Sequence, residues 1–483
     1  MKINDNFLIL AKVSLLSLSV ALAMGCSSDS DSAEDTATDT ATDTVTQLDS
    51  TDLVSSEELE NAEKDAKVAA VKETLSGVTL SSIIVSDPYA ECNSVTVGEK
   101  KALATGTPGK YTFTGELSTT NEDGTVTHKP VGAIDCVDSI TGAEIADMQS
   151  DNHADGGDGA DSSTVTPITT MVSIAKEQLK AETEATGQTL SDEELNQQAE
   201  ASIAAMTGIA IEDLKKDPVT NPSVQKAAAK IVTILEIVKQ SVQQAKTDSG
   251  IDDATATTET KAAMNDVFKK MIQEAVTEQK NAELTGTTAR SLDDKLTDTT
   301  FMEKIVPAEV QAKASTFSAT ASVIKEAVEA TDDEEGTGDA ATDAVNVAKK
   351  VAAVVIKVKS DVASGVASGA ITADNVQTTA KQTVDDAVTN SENILSEAGK
   401  SEAIVIVESV VTLEEIGDEV LQQLAENLDE FIDDEQLLEQ ATTSTTNAAT
   451  NAANTLLQTA CEARGGIFDT ATRTCAVVTG AGN

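Results

Sequence analysis

The sequence predicts an α+β protein that is mainly α: a small disulfide-linked β-sandwich, an elongated antiparallel helical bundle and a C-terminal disulfide hairpin. Three observations predict it. Residues 79–150 contain short β-rich runs separated by Gly and Asp turns. Residues 165–459 repeat apolar side chains at the i, i+3, i+4, i+7 spacing of amphipathic helices. One pair of cysteines lies in the β-rich region, and another lies in the last unit, residues 460–483.

The composition argues against several classes of function. The chain has 483 residues, which allows about three domains. Its formal net charge of -48 argues against binding nucleic acid, whose phosphates require a basic surface. Aromatic residues make up only 2% of the chain, so large aromatic pockets for sugars, bases or flat cofactors are not expected. The charge suits a protein that stays soluble outside the cell, and it would suit divalent cations.

The N-terminal segment has the form of a secretory signal. Lys2 and Lys12 flank a short apolar stretch that ends in Leu22-Ala23-Met24-Gly25-Cys26. This ending resembles the lipobox of bacterial lipoproteins. The resemblance implies that residues 1–25 are removed, that Cys26 carries acyl chains such as palmitate, and that the protein is sent to the outer membrane. The alternatives are an ordinary signal peptide with an incidental cysteine, or an uncleaved anchor, for which the apolar stretch is short.

Two short units follow the lipobox. Residues 26–54 are rich in Ser, Thr, Ala and Asp and show no apolar periodicity, which predicts a disordered acidic tether. Residues 55–78 begin with Ser55-Ser56-Glu57-Glu58, which has the form of a capping box. We therefore expect a short helix over residues 56–75, which could act as a stalk leading into the first folded domain.

Four motifs occur in a particular order, three in the predicted sandwich at residues 85–89, 109–113 and 135–142, and one at the start of the helical segment at 165–172. The order resembles a module of large bacterial surface and secreted proteins, in which a β-sandwich of carboxypeptidase-regulatory type runs into a helical segment opened by Thr-Pro-Leu-Thr-Thr-Leu-Val. The resemblance covers about residues 79–240. It implies an adhesive or matrix-type role and no enzymatic activity. The chain lacks the Asp-rich, calcium-like loop that often follows the first strand in that family.

Residues 151–164 are predicted to join the sandwich to the helices. Asp151, Asp155, Asp158 and Asp161 are interleaved with glycines there, and their carboxylates could surround calcium with oxygen ligands. Their spacing is not that of an EF-hand, and no bidentate Glu closes the loop. The other interpretation is a solvated flexible joint.

Beyond this joint, residues 165–459 are predicted to be helical. Thr166 and Pro167 suit a capped first turn, and Ser191 with Glu194 forms a second capping box. Apolar stripes then recur along the segment, at positions Ile231, Ile234, Leu235, Val238 and Val242, at Met264, Val267, Phe268, Met271, Ile272, Ala275 and Val276, and at Ile416, Val420, Leu424 and Leu428. Such stripes favour antiparallel packing of neighbouring helices.

Four cysteines remain if Cys26 is lipidated, and an even number in an exported chain indicates disulfides. Three pairings are possible. We expect Cys92 with Cys136 and Cys461 with Cys475, because each pair flanks its own strand-like segment. Thiol catalysis or a zinc site is the alternative, but the chain has only two histidines and no C-x-x-C. The last unit, residues 460–483, is either a structural cap or a tip for recognition.

No motif in the chain supports catalysis. Gly-x-Ser-x-Gly, His-Glu-x-x-His and phosphate-binding loops do not occur, and only His128 and His153 could serve as an imidazole base. We therefore expect a non-enzymatic lipoprotein of the outer membrane or cell surface, facing the periplasm or the exterior. Its role would be structural or adhesive, through protein or glycan contacts. The alternative is an envelope lipoprotein that binds a small ligand or a divalent cation, calcium included.

Overall fold

The computed structural model describes residues 44–78, 80–86, 89–120, 126–151, 154–156, 160–187, 189–331, 339–406 and 411–479. The predicted class, α+β and mainly α, is confirmed within these ranges. The helices are α1 (Ser50–Leu53), α2 (Ser56–Leu75), α3 (Pro167–Thr186), α4 (Asp192–Thr207), α5 (Pro222–Asp248), α6 (Asp253–Thr285), α7 (Leu292–Leu296), α8 (Thr299–Ile305), α9 (Ala314–Glu329), α10 (Ala340–Lys357), α11 (Ala363–Ser368), α12 (Val376–Thr389), α13 (Ser391–Glu397), α14 (Asp418–Glu426), α15 (Leu428–Phe431) and α16 (Glu435–Ala463). A π-helical turn, Val358–Val362, joins α10 to α11.

The strands are short, and most of them lie between residues 81 and 165. They are β1 (Thr44–Leu48), β2 (Ser81–Val85), β3 (Ala90–Val97), β4 (Lys100–Lys101), β5 (Leu103–Ala104), β6 (Lys110–Phe113), β7 (Ser118–Thr120), β8 (Val126–His128), β9 (Val131–Asp138), β10 (Glu144–Ile145), β11 (Met148–Ser150), β12 (Ala154–Gly156), β13 (Ala160–Val165), β14 (Ile467–Asp469) and β15 (Thr474–Thr479).

The predicted β-sandwich is present. One sheet has the order β10-β9-β3-β4, with β11 also paired to β9, and the other has the order β12-β13-β2-β6-β5. Apolar side chains from both sheets form a single core, so the sheets pack face to face. The first sheet contributes Val95, Val97, Val131 and Ala133, and the second contributes Ile83, Val85, Phe113 and Val165.

The segment predicted as a joint differs from that expectation. Within residues 151–164, β12 pairs with β13, and β13 then pairs in parallel with β2, with Val165 opposite Val85. Ser163 and Val165 are buried, so the end of this segment is part of the sandwich. The local composition did not indicate a strand, because Val165 is the only large apolar residue of β13 and the pairing partner lies some eighty residues earlier.

The helical bundle is organised around α5. This helix is buried on nearly all its faces and contacts α3, α6, α9, α10 and α11. A helix that is apolar on every side belongs in the interior of a larger assembly. The core around it includes Met171, Ile231, Phe268 and Phe317, which are all at most 2% exposed. The predicted stripes of α5 and α6 lie in this core.

The last part of the predicted helical domain lies outside the bundle. α16 packs along α2, the short helix near the other end of the chain. Val71 and Leu75 of α2 lie in one apolar cluster with Ala441, whereas Leu53 shares another cluster with Leu457 and Cys461. The two helices are therefore antiparallel, and the pair is named the stalk. α2 spans the residues that its capping box predicts, but its partner could not be recognised from the sequence.

One end of the stalk carries a three-stranded sheet of order β1-β15-β14, named the tip. The predicted C-terminal hairpin, β14 and β15, is confirmed, and β1 from the N-terminal side is added to it. Gly465 has a φ of 72°, and a Cβ on Gly466 would lie 2.5 Å from the sulfur of Cys475. The Gly-Gly pair therefore serves the turn and the close approach of the disulfide.

The other end of the stalk contacts the sandwich through residues 413–433, which are named the base. Lys101 forms an ion pair with Glu430, and Lys129 forms one with Asp433. The distance from ammonium nitrogen to carboxylate oxygen is 2.5 Å in each pair. Lys110, only 3% exposed, lies 2.9 Å from Glu415. The backbone also takes part, since the hydroxyl of Thr114 donates to the carbonyl of Phe431. The stripe from Ile416 to Leu428 predicts one continuous helix, but α14 begins only at Asp418 and a separate helix, α15, begins at Leu428.

Candidate functional site

The residues predicted from sequence lie in several separate places. Cys26 and the other residues before Thr44 lie outside the described residues. The disordered tether predicted over residues 26–54 is wrong in its last part, because Thr44–Leu48 forms β1 and Ser50–Leu53 forms α1. The pairings Cys92–Cys136 and Cys461–Cys475 are confirmed as disulfides. The first joins directly opposed positions of β3 and β9, and the second joins the end of α16 to β15. Both disulfides therefore cross-link structural elements.

The four aspartates proposed to bind calcium are tested only in part. Asp158 lies outside the described residues, and of Asp155 and Asp161 only the backbone is described, directly opposed on β12 and β13. Asp151 lies beyond the end of β11, in a small polar recess with Ser173 and Glu200. Burial raises the pKa of Asp151, and the nearby charge of Lys176 opposes that rise. Among the described residues, no group of three or more His, Cys, Asp or Glu is placed to hold a metal ion.

An apolar cavity of about 280 Å³ lies between the sandwich and the helical bundle. One wall is formed by β9 and β10, and the opposite wall by α5 and α6. The apolar lining comes from side chains that are otherwise part of the core, among them Ile145, Leu235 and Met264. Concave apolar sites between two structural layers are typical places for small ligands.

The rim of this cavity is charged. Lys261 of α6 contacts Asp135 and lies 3.8 Å from Asp147. Burial lowers the pKa of Lys261. Asp147 also accepts a hydrogen bond of 2.7 Å from the Asn265 side chain and donates its backbone N–H to that side chain over 3.0 Å. Asp135 has a φ of 57°, a left-handed conformation that is uncommon for a residue other than glycine.

The opposite side of the rim is built around Lys239 of α5. Its ammonium lies 3.1 Å from Glu144 and 3.3 Å from Glu236. Of the charged residues that line the cavity, Lys239 and Lys261 balance Asp135 and Glu144, so the lining is formally neutral. Asp147 and Glu236 contact these lysines from outside the lining.

The cavity opens into a polar groove of about 700 Å³ along the same side of α5. Glu144, Lys239 and Thr257 line both spaces. The groove is otherwise lined by amides and hydroxyls from α5, α6 and α11. Among them the Thr260 hydroxyl is buried without a hydrogen-bond partner in the described part of the chain. Cavity and groove together form an elongated site with one apolar and one polar end, named the interlayer site.

A tight turn fixes the β9–β10 wall of the interlayer site. The Asp138 carboxylate accepts hydrogen bonds from the backbone N–H of Ile140 at 2.7 Å and of Thr141 at 3.2 Å, and from the Thr141 hydroxyl at 2.7 Å. Burial raises the pKa of Asp138 to about 7, although these donors and the charge of Lys359 oppose the rise. Lys359, beyond α10, donates to the Gly142 carbonyl and ties this turn to the bundle.

Sequence reasoning missed the interlayer site. It drew attention to residues 135–142 only as part of a family motif, and to Met264 only as part of a helical stripe. Two signals were present: the Gln and Thr residues on α5 and α6, and the carboxylates Glu144 and Asp147 on either side of the apolar pair Ile145-Ala146. Neither signal specifies a site, because the two walls come together only through long-range packing.

The described helices include none with the length and apolar character that a membrane span requires. Comparisons with protein-family models, characterised proteins and solved structures gave no match. The function of the protein is therefore inferred from its sequence and from the geometry of the described residues.

Proposed function

We propose that this protein is a lipid-anchored lipoprotein of the bacterial outer membrane or cell surface with a non-catalytic, structural or adhesive role. One geometric observation carries the proposal. The described chain starts at Thr44, at the tip, while the sandwich and the bundle lie beyond the opposite end of the stalk. An anchor at Cys26 would hold the tip near the membrane and present the body away from it.

The stalk is long enough to separate the body from the tip by a substantial distance. α2 has 20 residues and α16 has 29 residues, which correspond to about 30 Å and about 43 Å of helix. The base is held to the sandwich by ion pairs and backbone hydrogen bonds, so the stalk continues into the body through fixed contacts. The resemblance to surface modules with a carboxypeptidase-regulatory-type sandwich agrees with this role and stays a prediction.

The test of the anchor is the mass of the mature protein. We expect a mature N-terminus at Cys26 with added acyl mass, and loss of that mass and of membrane association in Cys26→Ser. A mature N-terminus elsewhere, without acyl mass, would contradict the proposal. Protease treatment of intact cells then shows on which side of the membrane the body lies, because a surface-exposed body is cleaved and a periplasmic body is protected.

A second candidate function, capture of a small ligand, is favoured by the interlayer site. Its apolar cavity adjoins a polar groove, and its charge-balanced lining suits a ligand without net charge that has one apolar end. Ala146→Phe should narrow the cavity, while Ala204→Phe on α4 is a matched control at another partly buried alanine. Native mass spectrometry of the purified protein should detect a ligand that the first variant loses and the control keeps.

Calcium binding stays a separate prediction of this second function. Titration calorimetry with calcium chloride on the purified protein should give heat that is lost in Asp151→Asn combined with Asp155→Asn. Absence of heat, with no change in melting temperature, would remove the calcium hypothesis and leave the small-ligand hypothesis intact.

A further inference from the structure

The outer face of the tip sheet carries three exposed apolar side chains beside the polar Gln47 and Asp469. In the register of the sheet Val45 is opposite Val478, and Ile467 is opposite Ala476. Directly opposed residues, and residues two apart on one strand, point to the same side of a sheet. Val45, Val478 and Ile467 therefore share one face, on which they are 59%, 55% and 79% exposed.

The opposite face of this sheet is already in use. Leu48, Cys475 and Phe468 are opposed across the three strands and pack toward Leu53, Leu457 and Cys461 of the stalk. Within the described residues, the core of the tip therefore leaves the outer face uncovered. Ten large apolar side chains are exposed in the described part of the chain, and three of them lie on this one small sheet. Such a concentration indicates a contact surface.

The position of the tip identifies what covers it. Thr44 begins β1 and follows Cys26 by 18 residues, a length that spans at most about 60 Å when fully extended. The tip is therefore the first described part of the chain after the lipobox cysteine. The body follows only at the far end of the stalk.

The charge of the tip points to the same occupant. Residues 461–475 contain Arg464 and Arg473 against Glu462 and Asp469, so their formal charge is zero, while the whole chain carries -48. Two of the three arginines of the chain lie in this hairpin. A neutral end can approach an anionic lipid surface with far less repulsion than the acidic body.

We propose that the outer face of the tip, formed by Val45, Val478 and Ile467, rests on the lipid bilayer beside the acyl anchor. The proposal rests on the lipid anchor of the proposed function and adds a second, non-covalent contact. Small apolar faces enter the head-group and acyl boundary, and a second attachment strengthens the hold of an acyl chain. Two contacts at one end would also set the direction of the stalk, away from the membrane.

A single introduced tryptophan tests this contact, because the chain contains none. The lipidated Ile467→Trp protein is reconstituted in vesicles of phosphatidylethanolamine and phosphatidylglycerol, made with or without bromine on the acyl chains. Bromine should quench about half of the emission and the spectrum should shift to the blue, since the side chain would lie about 5–10 Å inside the boundary. Lipidated Leu284→Trp, whose site at the end of α6 is 85% exposed, should show neither effect.

Flotation of the same vesicles separates the two proposals. Ile467→Trp protein that floats with the vesicles while its tryptophan is not quenched would overturn the bilayer contact and leave the anchor intact. Protein that does not float at all would overturn the anchor. A blue shift without vesicles, accompanied by dimers in sedimentation, would assign the tip face to a second copy of the chain and would also overturn the bilayer contact.

Discussion

In the bundle, α5 is surrounded by five helices that come from residues 167–368, whereas the stalk pairs only two helices, α2 and α16. The cores differ as well. The bundle buries large side chains such as Phe268 and Phe317, while α16 buries mostly small ones, at Ala441, Thr445, Ala449 and Ala453. Small side chains bury little apolar area, so each contact along the stalk contributes less than a contact in the bundle.

The bundle and the stalk should therefore resist unfolding by different means. The bundle has a broad core that holds many helices at once, so it should unfold as a unit. The stalk depends on the pairing of distant segments, on its contacts with the sandwich and on the disulfide at the tip. We expect it to open locally before the bundle does.

The largest effect should come from the centre of the bundle. Phe317 is 0% exposed, and Phe317→Ala should lower the free energy of unfolding by about 3–5 kcal/mol. Denaturant titration measures it, with Leu284→Ala as an exposed control that should change stability by less than about 0.5 kcal/mol. Hydrogen exchange should rise throughout the bundle in Phe317→Ala. A rise confined to α9 would contradict a single cooperative core.

The two disulfides give the next contrast. In the chain-entropy model, replacing Cys92 and Cys136 by alanine should cost about 4 kcal/mol, and replacing Cys461 and Cys475 about 3 kcal/mol. Hydrogen exchange should rise in the sandwich for the first pair, and only in residues 44–75 and 435–479 for the second. Equal protection of the tip with and without its disulfide would show that the stalk does not need it.

The contact between base and sandwich can be weakened from either side. Glu415→Gln removes the negative charge that faces the buried ammonium of Lys110 and should cost about 1–3 kcal/mol. Lys110→Met removes the buried charge itself and should cost less. Thermal unfolding of the two variants at neutral pH compares them. A larger loss in Lys110→Met would mean that packing of the lysine stem matters more than its charge.

The last expected effect is a pH dependence in the turn beside the interlayer site. Because the folded-state pKa of Asp138 is raised to about 7, its contribution to stability is full below about pH 4 and is lost as the pH rises through 7. Asp138→Asn cannot ionise and should remove this decline. The difference in melting temperature between the variant and the natural protein should therefore shift in favour of the variant from pH 4 to pH 8. A difference that stays constant with pH would contradict the raised pKa.

The sequence predicted the features that depend on residues close in the chain and missed those that depend on distant residues. The capping box at Ser55, the stripe of α6 and the paired cysteines each depend on residues close in the chain, and each was predicted correctly. Strand β13, the stalk and the interlayer site depend on pairing between distant residues. Val165 with Val85, Val71 with Ala441, and Asp135 with Lys261 are examples. Local patterns carry no information on which distant segments meet.

We conclude that α2 and α16 form one stalk, with the tip at one end and the base at the other. Pulsed distance measurements between spin labels on exposed sites test this pairing. Labels at Glu57 and Glu462 should lie within about 20 Å, because packed helix axes are about 8–10 Å apart. Labels at Glu57 and Glu435 should be about 30–40 Å apart along the stalk. A long or broad distribution for Glu57 and Glu462 would show that α2 does not pair with α16, and it would contradict the account.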